Sequence, residues 1–373
     1  MKAIRLSKSC ISKKEKNAVI KVLNKGFLGM GPVVKKFETK LSKFFSRKVV
    51  CLNSGTAALH VALQASGISK NDEVIVPSLT YVASYQAISA TGAKPVACDI
   101  DLENLHMCPH DLKRKITKKT KAIMPVHLTG SAENLDKIYL IAKKYKLRVI
   151  EDAAHAFGTI YKKRKIGSFG DISCFSFDGI KNITSGEGGC IVTNDKRVFN
   201  KSRDIRLLGI TNDSEKRYLG HRSWISDVKD QGWRYHMSDI NASIGLAQLQ
   251  KYNLLSKKRK KICKIYDQEF KNNKYIKIFK KNYKDISPHI YIVRIINLKK
   301  RDLLRKKLSL KGIQTGIHYK PNHLLTFYKN NSKYTLPKTE SIFKKIVSLP
   351  LHPELEYKDI DFVVHNIKEY LKL

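Results

Sequence analysis

The sequence predicts an α/β fold: a large domain with a mostly parallel sheet flanked by helices, followed by a smaller α+β domain. Two observations carry this expectation. Short runs that are apolar throughout, rather than alternating, recur between helical stretches, which fits strands buried on both faces of a parallel sheet. From about residue 238 the pattern changes to long lysine-rich helical stretches. A chain of 373 residues suits one large unit with a smaller companion.

The elements follow in order. Ser12 is placed to cap a helix whose apolar side is Val19, Val22 and Leu23, and Gly26 follows as its stop. A second helix is expected from Pro32 to about Phe45. The run VVCLN (49–53) then leads into the helix former TAALHVALQA, and EVIVPS (73–78) leads into TYVASYQAIS. PVACDI (95–100) and AIMPVHL (122–128) come next, then the helix NLDKIYLIAKKY and the run LRVIED (147–152). ISCFSFD (172–178) and GCIVTN (189–194) complete the set. Ile240, Ile244 and Ala247 stand at i, i+4 and i+7, and the helix they open is expected to continue to about 271. It would cross from a large domain (1–250) into a small one (251–373) made of HIYIVRI, a helix at 300–311 and a C-terminal helix.

Composition bounds the function classes. A hydrophobic fraction of 42% supplies a large core. The opening residues hold no apolar run of signal-peptide length, and no uncharged run is long enough to span a bilayer, so a cytoplasmic chain is expected. Lys+Arg 72 against Asp+Glu 32 gives 72 − 32 = +40. These cations are spread along the chain rather than gathered in one arm, so a nucleic-acid partner is not expected, although an anionic substrate would be favoured. Seven cysteines, an odd number and without a C-x-x-C pair, read as free and mostly buried thiols.

Four segments carry candidate chemistry. In Asn53-Ser54-Gly55-Thr56, a strand turns into a helix through small residues, so the amides of the first helical turn and the Thr56 hydroxyl could hold a phosphate. The same residues are also a common structural cap. Glu151-Asp152-Ala153-Ala154-His155 ends a buried strand, where α/β folds place ligands, and a buried carboxylate there needs a cationic partner or a capping role. In the loop Ser176-Phe177-Asp178-Gly179-Ile180-Lys181, one lysine stands alone among neutral, glycine- and hydroxyl-rich residues. Kept from water, such an amine is a nucleophile toward an aldehyde. Finally, Gly316-Ile317-His318-Tyr319-Lys320-Pro321-Asn322-His323 could line a polar cleft, and its histidines, five apart without a carboxylate, do not read as a metal site.

Taken together and in order, these segments resemble the DegT/DnrJ/EryC1/StrS family of sugar aminotransferases. The resemblance runs from about Gly29 to Pro350, through GMGPVVKKFE, NSGTAALHVAL, DEVIVPSLTYVAS, VIEDAAHAFG, GSFGDISCFSF, KNITSGEGG, GWRYHMSDINASIGLAQL, GIHYKP and SLPLHP. It implies the aminotransferase fold of type I and pyridoxal 5'-phosphate (PLP) as cofactor. It further implies that Lys181 binds the cofactor aldehyde and shuttles a proton, while Asp152 pairs with the pyridine nitrogen. Tyr81 would stack on the ring, His155 would lie beside it, and Gly55, Thr56 and Ser176 would hold the phosphate. His318, Tyr319, Asp178 and Glu187 would face the substrate.

The resemblance also implies a reaction: transfer of an amino group from an amino acid, glutamate above all, to a nucleotide-linked keto-sugar, with a homodimer sharing its active sites. One departure bears on that dimer. Where many relatives carry an asparagine that reaches the neighbouring subunit's cofactor phosphate, this chain has Arg234, within Gly232-Trp233-Arg234-Tyr235-His236-Met237. Asp178 stands where other polar residues are common, and residues 208–233 are rich enough in charge to form a substrate-specific loop. Relatives that dehydrate sugars carry histidine in place of the lysine, so Lys181 argues against that reaction. A non-enzymatic binding protein on the same fold would be expected to lose Asp152, Lys181 or Thr56, and all three are present.

Overall fold

The structure is a computed structural model and describes residues 3–211, 213–221, 227–296, 301–329 and 335–372. The expected charged loop at 208–233 therefore lies partly outside the described residues. Two helices open the chain. α1 (Lys13–Lys25) begins at a capping box between Ser12 and Glu15, and Gly26 ends it in the left-handed region at φ 70°. α2 (Pro32–Phe45) buries Val34, Phe37, Leu41 and Phe45 on one face. Its free N-terminal amides are taken by Asp239, which accepts from Gly31 at 3.0 Å and Val34 at 2.9 Å.

The large sheet is built from β1 (Lys48–Leu52), β2 (Glu73–Pro77), β3 (Lys94–Cys98), β4 (Thr120–Ile123) and β5 (Arg148–Asp152). A small hairpin, β6 (Ile160–Tyr161) with β7 (Arg164–Lys165), precedes β8 (Ile172–Ser176) and β9 (Gly189–Thr193). The sheet order is β1-β9-β8-β5-β4-β2-β3. β9 is antiparallel to both its neighbours and the other pairings are parallel, so six strands point one way. Helices α3 (Gly55–Ala65), α4 (Val82–Ala90), α5 (Pro109–Lys115), α6 (Leu135–Tyr145) and α7 (Lys196–Ile205) surround it. The strands are apolar because both faces are covered: α3 packs with Val50, Leu52, Cys174 and Ile191 on one side, and α2 packs with Val49, Cys51, Phe175 and Cys190 on the other. All seven cysteines are free thiols, five of them buried.

After α8 (Asp213–Tyr218), the expected long helix is two. α9 (Asp239–Gln250) and α10 (Tyr252–Phe270) are separated at Lys251, whose backbone leaves the helical region at φ −106°, ψ 10°. The second unit has a three-stranded antiparallel sheet with β11 (Tyr291–Ile295) between β10 (Ile276–Ile278) and β12 (Ile346–Leu349). Around it lie α11 (Arg301–Leu310), α13 (Pro337–Phe343) and α14 (Tyr357–Lys372), while α12 (Thr326–Lys329) sets Tyr328 against Tyr85 of α4. Ile4 bridges to Ile313 and packs into the core of this unit, beside Val293 and Val363. Among the described residues, no helix is long and apolar enough to cross a membrane.

Candidate active site

The co-directional strands bring their carboxyl ends to one rim of the large sheet, and the second unit covers that rim. Between them lies a cavity of about 420 Å³. Its walls include Gly55, Thr56, Tyr81, Asp152, His155, Ser176, Asp178, Lys181, Glu187, His318 and Tyr319. Arg234 is not among these lining residues; it bridges to Leu207 instead. His323, which the sequence grouped with His318, also points elsewhere, with Nδ1 at 2.6 Å from Ser78 Oγ and Nε2 at 3.2 Å from Glu340.

One end of the cavity is the start of α3. Ser54 caps it, accepting the Ala57 amide at 3.0 Å, so the amides of Gly55 and Thr56 open the helix at its positive end. Gly55 is required by packing: a Cβ there would stand 2.8 Å from Ser176 Cβ, so only glycine lets the helix start against the end of β8. The Ser176 hydroxyl thereby joins the same corner.

Alternation along β5 splits its two carboxylates. Glu151 is fully buried and paired, with His127 Nε2 at 2.6 Å and the Tyr139 hydroxyl donating at 2.6 Å. Asp152 faces the cavity, 6% exposed, accepting from Ser84 Oγ at 2.7 Å and from the Ala154 amide at 3.1 Å. Since Ser84 spends its proton on Asp152, Thr80 Oγ1, 3.0 Å away, donates to Ser84. Among the described residues Asp152 has no ion-pair partner, although a buried carboxylate calls for one. Beside it His155 is buried, with Nδ1 lacking a hydrogen-bond partner among the described residues and Nε2 3.4 Å from the Tyr319 hydroxyl. Burial, then the charge of Lys181, holds the His155 pKa well below the ordinary histidine value.

Lys181 sits on the loop between β8 and β9, with Nζ 3.4 Å from His289 Nε2. Burial pushes its amine below the ordinary lysine value and Arg259 adds to that, against Asp178, Asp152 and Glu187. Its neighbours are stitched to the second unit. Asn182 Nδ2 donates to Ser287 Oγ at 2.8 Å, and Arg259 Nη2 donates to Ile180 O at 3.2 Å. Asp178 and Glu187 stand together at the wall, and burial followed by Asp178 raises the Glu187 carboxyl. Tyr81, 57% exposed, and Tyr319 face each other with ring centroids 5.5 Å apart, while His318 Nδ1 lies 2.6 Å from Ser348 Oγ. Burial, then Lys181, brings the His318 pKa down to about 4.

The residues fit the cofactor that the resemblance implies. An unpaired buried carboxylate, an unpartnered imidazole nitrogen, a helix N-terminus and a lysine of lowered pKa share one cavity. Reading the sequence missed Ser84, Thr80, Asn182, Arg259 and His289. Ser84 and Thr80 lie within PSLTYVAS, inside a segment that carries the resemblance. His289 is brought in from 108 residues away along the chain, and nothing local to it signals that contact.

The comparisons with known proteins point to one family. The model of the DegT/DnrJ/EryC1/StrS aminotransferase family matches residues 9–368. An uncharacterized protein of Methanocaldococcus jannaschii, MJ1066, is 39% identical over 370 residues, covering 96% of this chain and 95% of its own. Spr1654 from Streptococcus pneumoniae, described as a sugar aminotransferase, superposes in its PLP-form with a TM-score of 0.92 and 32% identity, covering 99% of each chain. PseC of Helicobacter pylori, an aminotransferase involved in the biosynthesis of pseudoaminic acid, gives a TM-score of 0.92 at 28% identity over 100% of both chains.

Proposed function

The chain belongs to the DegT/DnrJ/EryC1/StrS aminotransferase family and is a PLP-dependent sugar aminotransferase; from that premise we propose that its acceptor is a nucleotide-linked keto-sugar, a 4-keto-6-deoxyhexose in particular, and its donor glutamate. The observation that carries the reading is the meeting of Lys181, Asp152 and the start of α3 in one cavity.

When bound, PLP supplies an aldehyde for an amine and an electron sink for the carbon whose proton is moved. The chain supplies the rest. Lys181, whose amine burial pushes below the ordinary lysine value, would offer Nζ first as nucleophile and then as the base and acid that carries one proton across the cavity. Asp152, anchored by Ser84 and Ala154, would hold a proton on the ring nitrogen by its negative charge. Gly55, Thr56 and Ser176, which line one corner of the cavity, would hold its phosphate, and Tyr81 and His155 would flank its ring. His318, Tyr319, Asp178 and Glu187 meet the sugar on the open side.

We place the reaction in a cytoplasmic homodimer. Supporting this, Ile20, Leu23, Phe27 and Leu28 are exposed apolar residues of α1 and the turn after it, the kind of surface a second copy covers. Arg234, outside the cavity of its own chain, is then assigned to the neighbouring subunit's cofactor phosphate.

The deciding experiment incubates the PLP-loaded enzyme with glutamate and a panel of nucleotide-linked keto-sugars, detecting aminated product by mass. Product with a 4-keto-6-deoxyhexose is expected, and Lys181→Ala should lack both product and the visible cofactor band. A protein that shows the band but aminates no member of the panel would overturn the acceptor assignment.

A further inference from the structure

We infer that His289 is a positioning residue for Lys181: its imidazole Nε2 accepts the hydrogen bond of the lysine amine and holds Nζ toward the cavity whenever that amine is free. The inference rests on the reading of Lys181 as the cofactor-bearing lysine.

The contact is 3.4 Å between Nε2 and Nζ, from a histidine that is 3% exposed. An imidazole that accepts at Nε2 carries its proton on Nδ1, and that nitrogen is buried without a hydrogen-bond partner among the described residues. Buried polar atoms are seldom left so, and those that are cluster where a function retains them. Among the described residues the lysine amine is thus the hydrogen-bonding side chain at the His289 ring, which also lies against His155 at 4.2 Å between centroids.

The backbone fixes that contact from both sides. The His289 amide donates to Thr129 O at 3.1 Å, and the His289 carbonyl accepts from Arg259 Nη1 at 3.2 Å. The same guanidinium donates to Ile180 O, the residue before Lys181, and to Leu351 O at 3.0 Å. On the other flank Asn182 donates to Ser287 and Pro288. Residues 180 and 182 are therefore each tied to the segment that carries His289, which sets the distance between ring and amine before any ligand arrives.

The charged and titratable groups that face this pair are Asp178, Asp152 and Glu187, which favour the ammonium form, and Arg259, His155 and His318, which oppose further positive charge. Burial, then His155, holds the His289 pKa well below the ordinary histidine value, so the ring stays neutral and free to accept. A neutral acceptor helps the ammonium form most, and its loss lowers the lysine pKa.

The test uses the full-length, cofactor-free protein and no sugar. Each lysine is labelled with limiting acetic anhydride across a pH series, and the labelling of Lys181 is read by peptide mass spectrometry, with exposed Lys113 as internal reference. His289→Leu is expected to move the Lys181 midpoint down by about one pH unit, and His289→Gln, which keeps an acceptor oxygen, to restore it. A parental or raised midpoint in the leucine variant, or a glutamine variant shifted as far as the leucine one, overturns the inference. Should His289→Leu fail to fold, His289→Asn replaces it, too short to reach; equal midpoints for asparagine and glutamine then overturn it as well. Failure of the sugar panel would leave these midpoints untouched, so the two readings fall separately.

Discussion

Asp152 and Lys181 do different work for reasons that their surroundings supply. Asp152 is an anion held by two neutral donors, Ser84 Oγ and the Ala154 amide, and its unanswered charge is what a protonated ring nitrogen would meet. Asp152→Asn keeps the shape and an oxygen for Ser84 but removes the charge. We expect the fold and melting temperature to hold while turnover drops at least about 100-fold, checked by steady-state rates on the PLP-loaded variant; a loss under about tenfold would refute the role. Lys181 was legible in the sequence because most lysines here crowd together and this one does not. Asp152 was legible because it ends an apolar run. His289 and Arg259 were not, since what places them is a fold that closes over long stretches of chain, and no local pattern encodes that closure.

Among the elements, the start of α3 is sensitive to a small change. Gly55→Ala would push a methyl into Ser176 Cβ, at 2.8 Å in the present backbone, and displace either the helix or the end of β8. A stability loss of about 1–3 kcal/mol is expected, together with weaker PLP retention, measured by thermal melts with and without added cofactor. An unchanged melt and unchanged retention would show that the corner is looser than its packing. The strands of the apolar runs were read to within about two residues at each end because double-sided burial makes them uniformly apolar. AIMPVHL is the exception: β4 stops at Ile123, and Pro125, which has no amide proton, stands in the run that follows. β10 and β12 were missed, being short strands next to lysines. The break between α9 and α10 at Lys251 was also invisible, since helical spacing continues through it.

At the scale of the whole molecule, burial of neutral histidines at one site sets the response to acid. His318 is brought down to about 4, and His155 and His289 lie well below the ordinary value, whereas all three titrate near about 6.5 in an unfolded chain. The folded state therefore binds fewer protons. Their contribution is fully favourable above about pH 6.5, and stability falls as pH drops from there toward 4, by up to about 1.4 kcal/mol per pH unit for each group in mid-window. Added protons also fall on a chain already at +40, which compounds the loss. Denaturant melts at pH 7 and pH 5 should show the drop, and His318→Gln should shrink it; a flat profile would mean that water reaches these rings. The sheet imposes one more condition. Side chains on a strand obey even and odd, so sliding β5 by a single residue against β4 and β8 would send Glu151 toward the cavity and Asp152 toward His127 and Tyr139. Which acid meets the cofactor is thus a matter of parity, guarded by hydrogen bonds along neighbouring backbones rather than by any atom of the cavity itself.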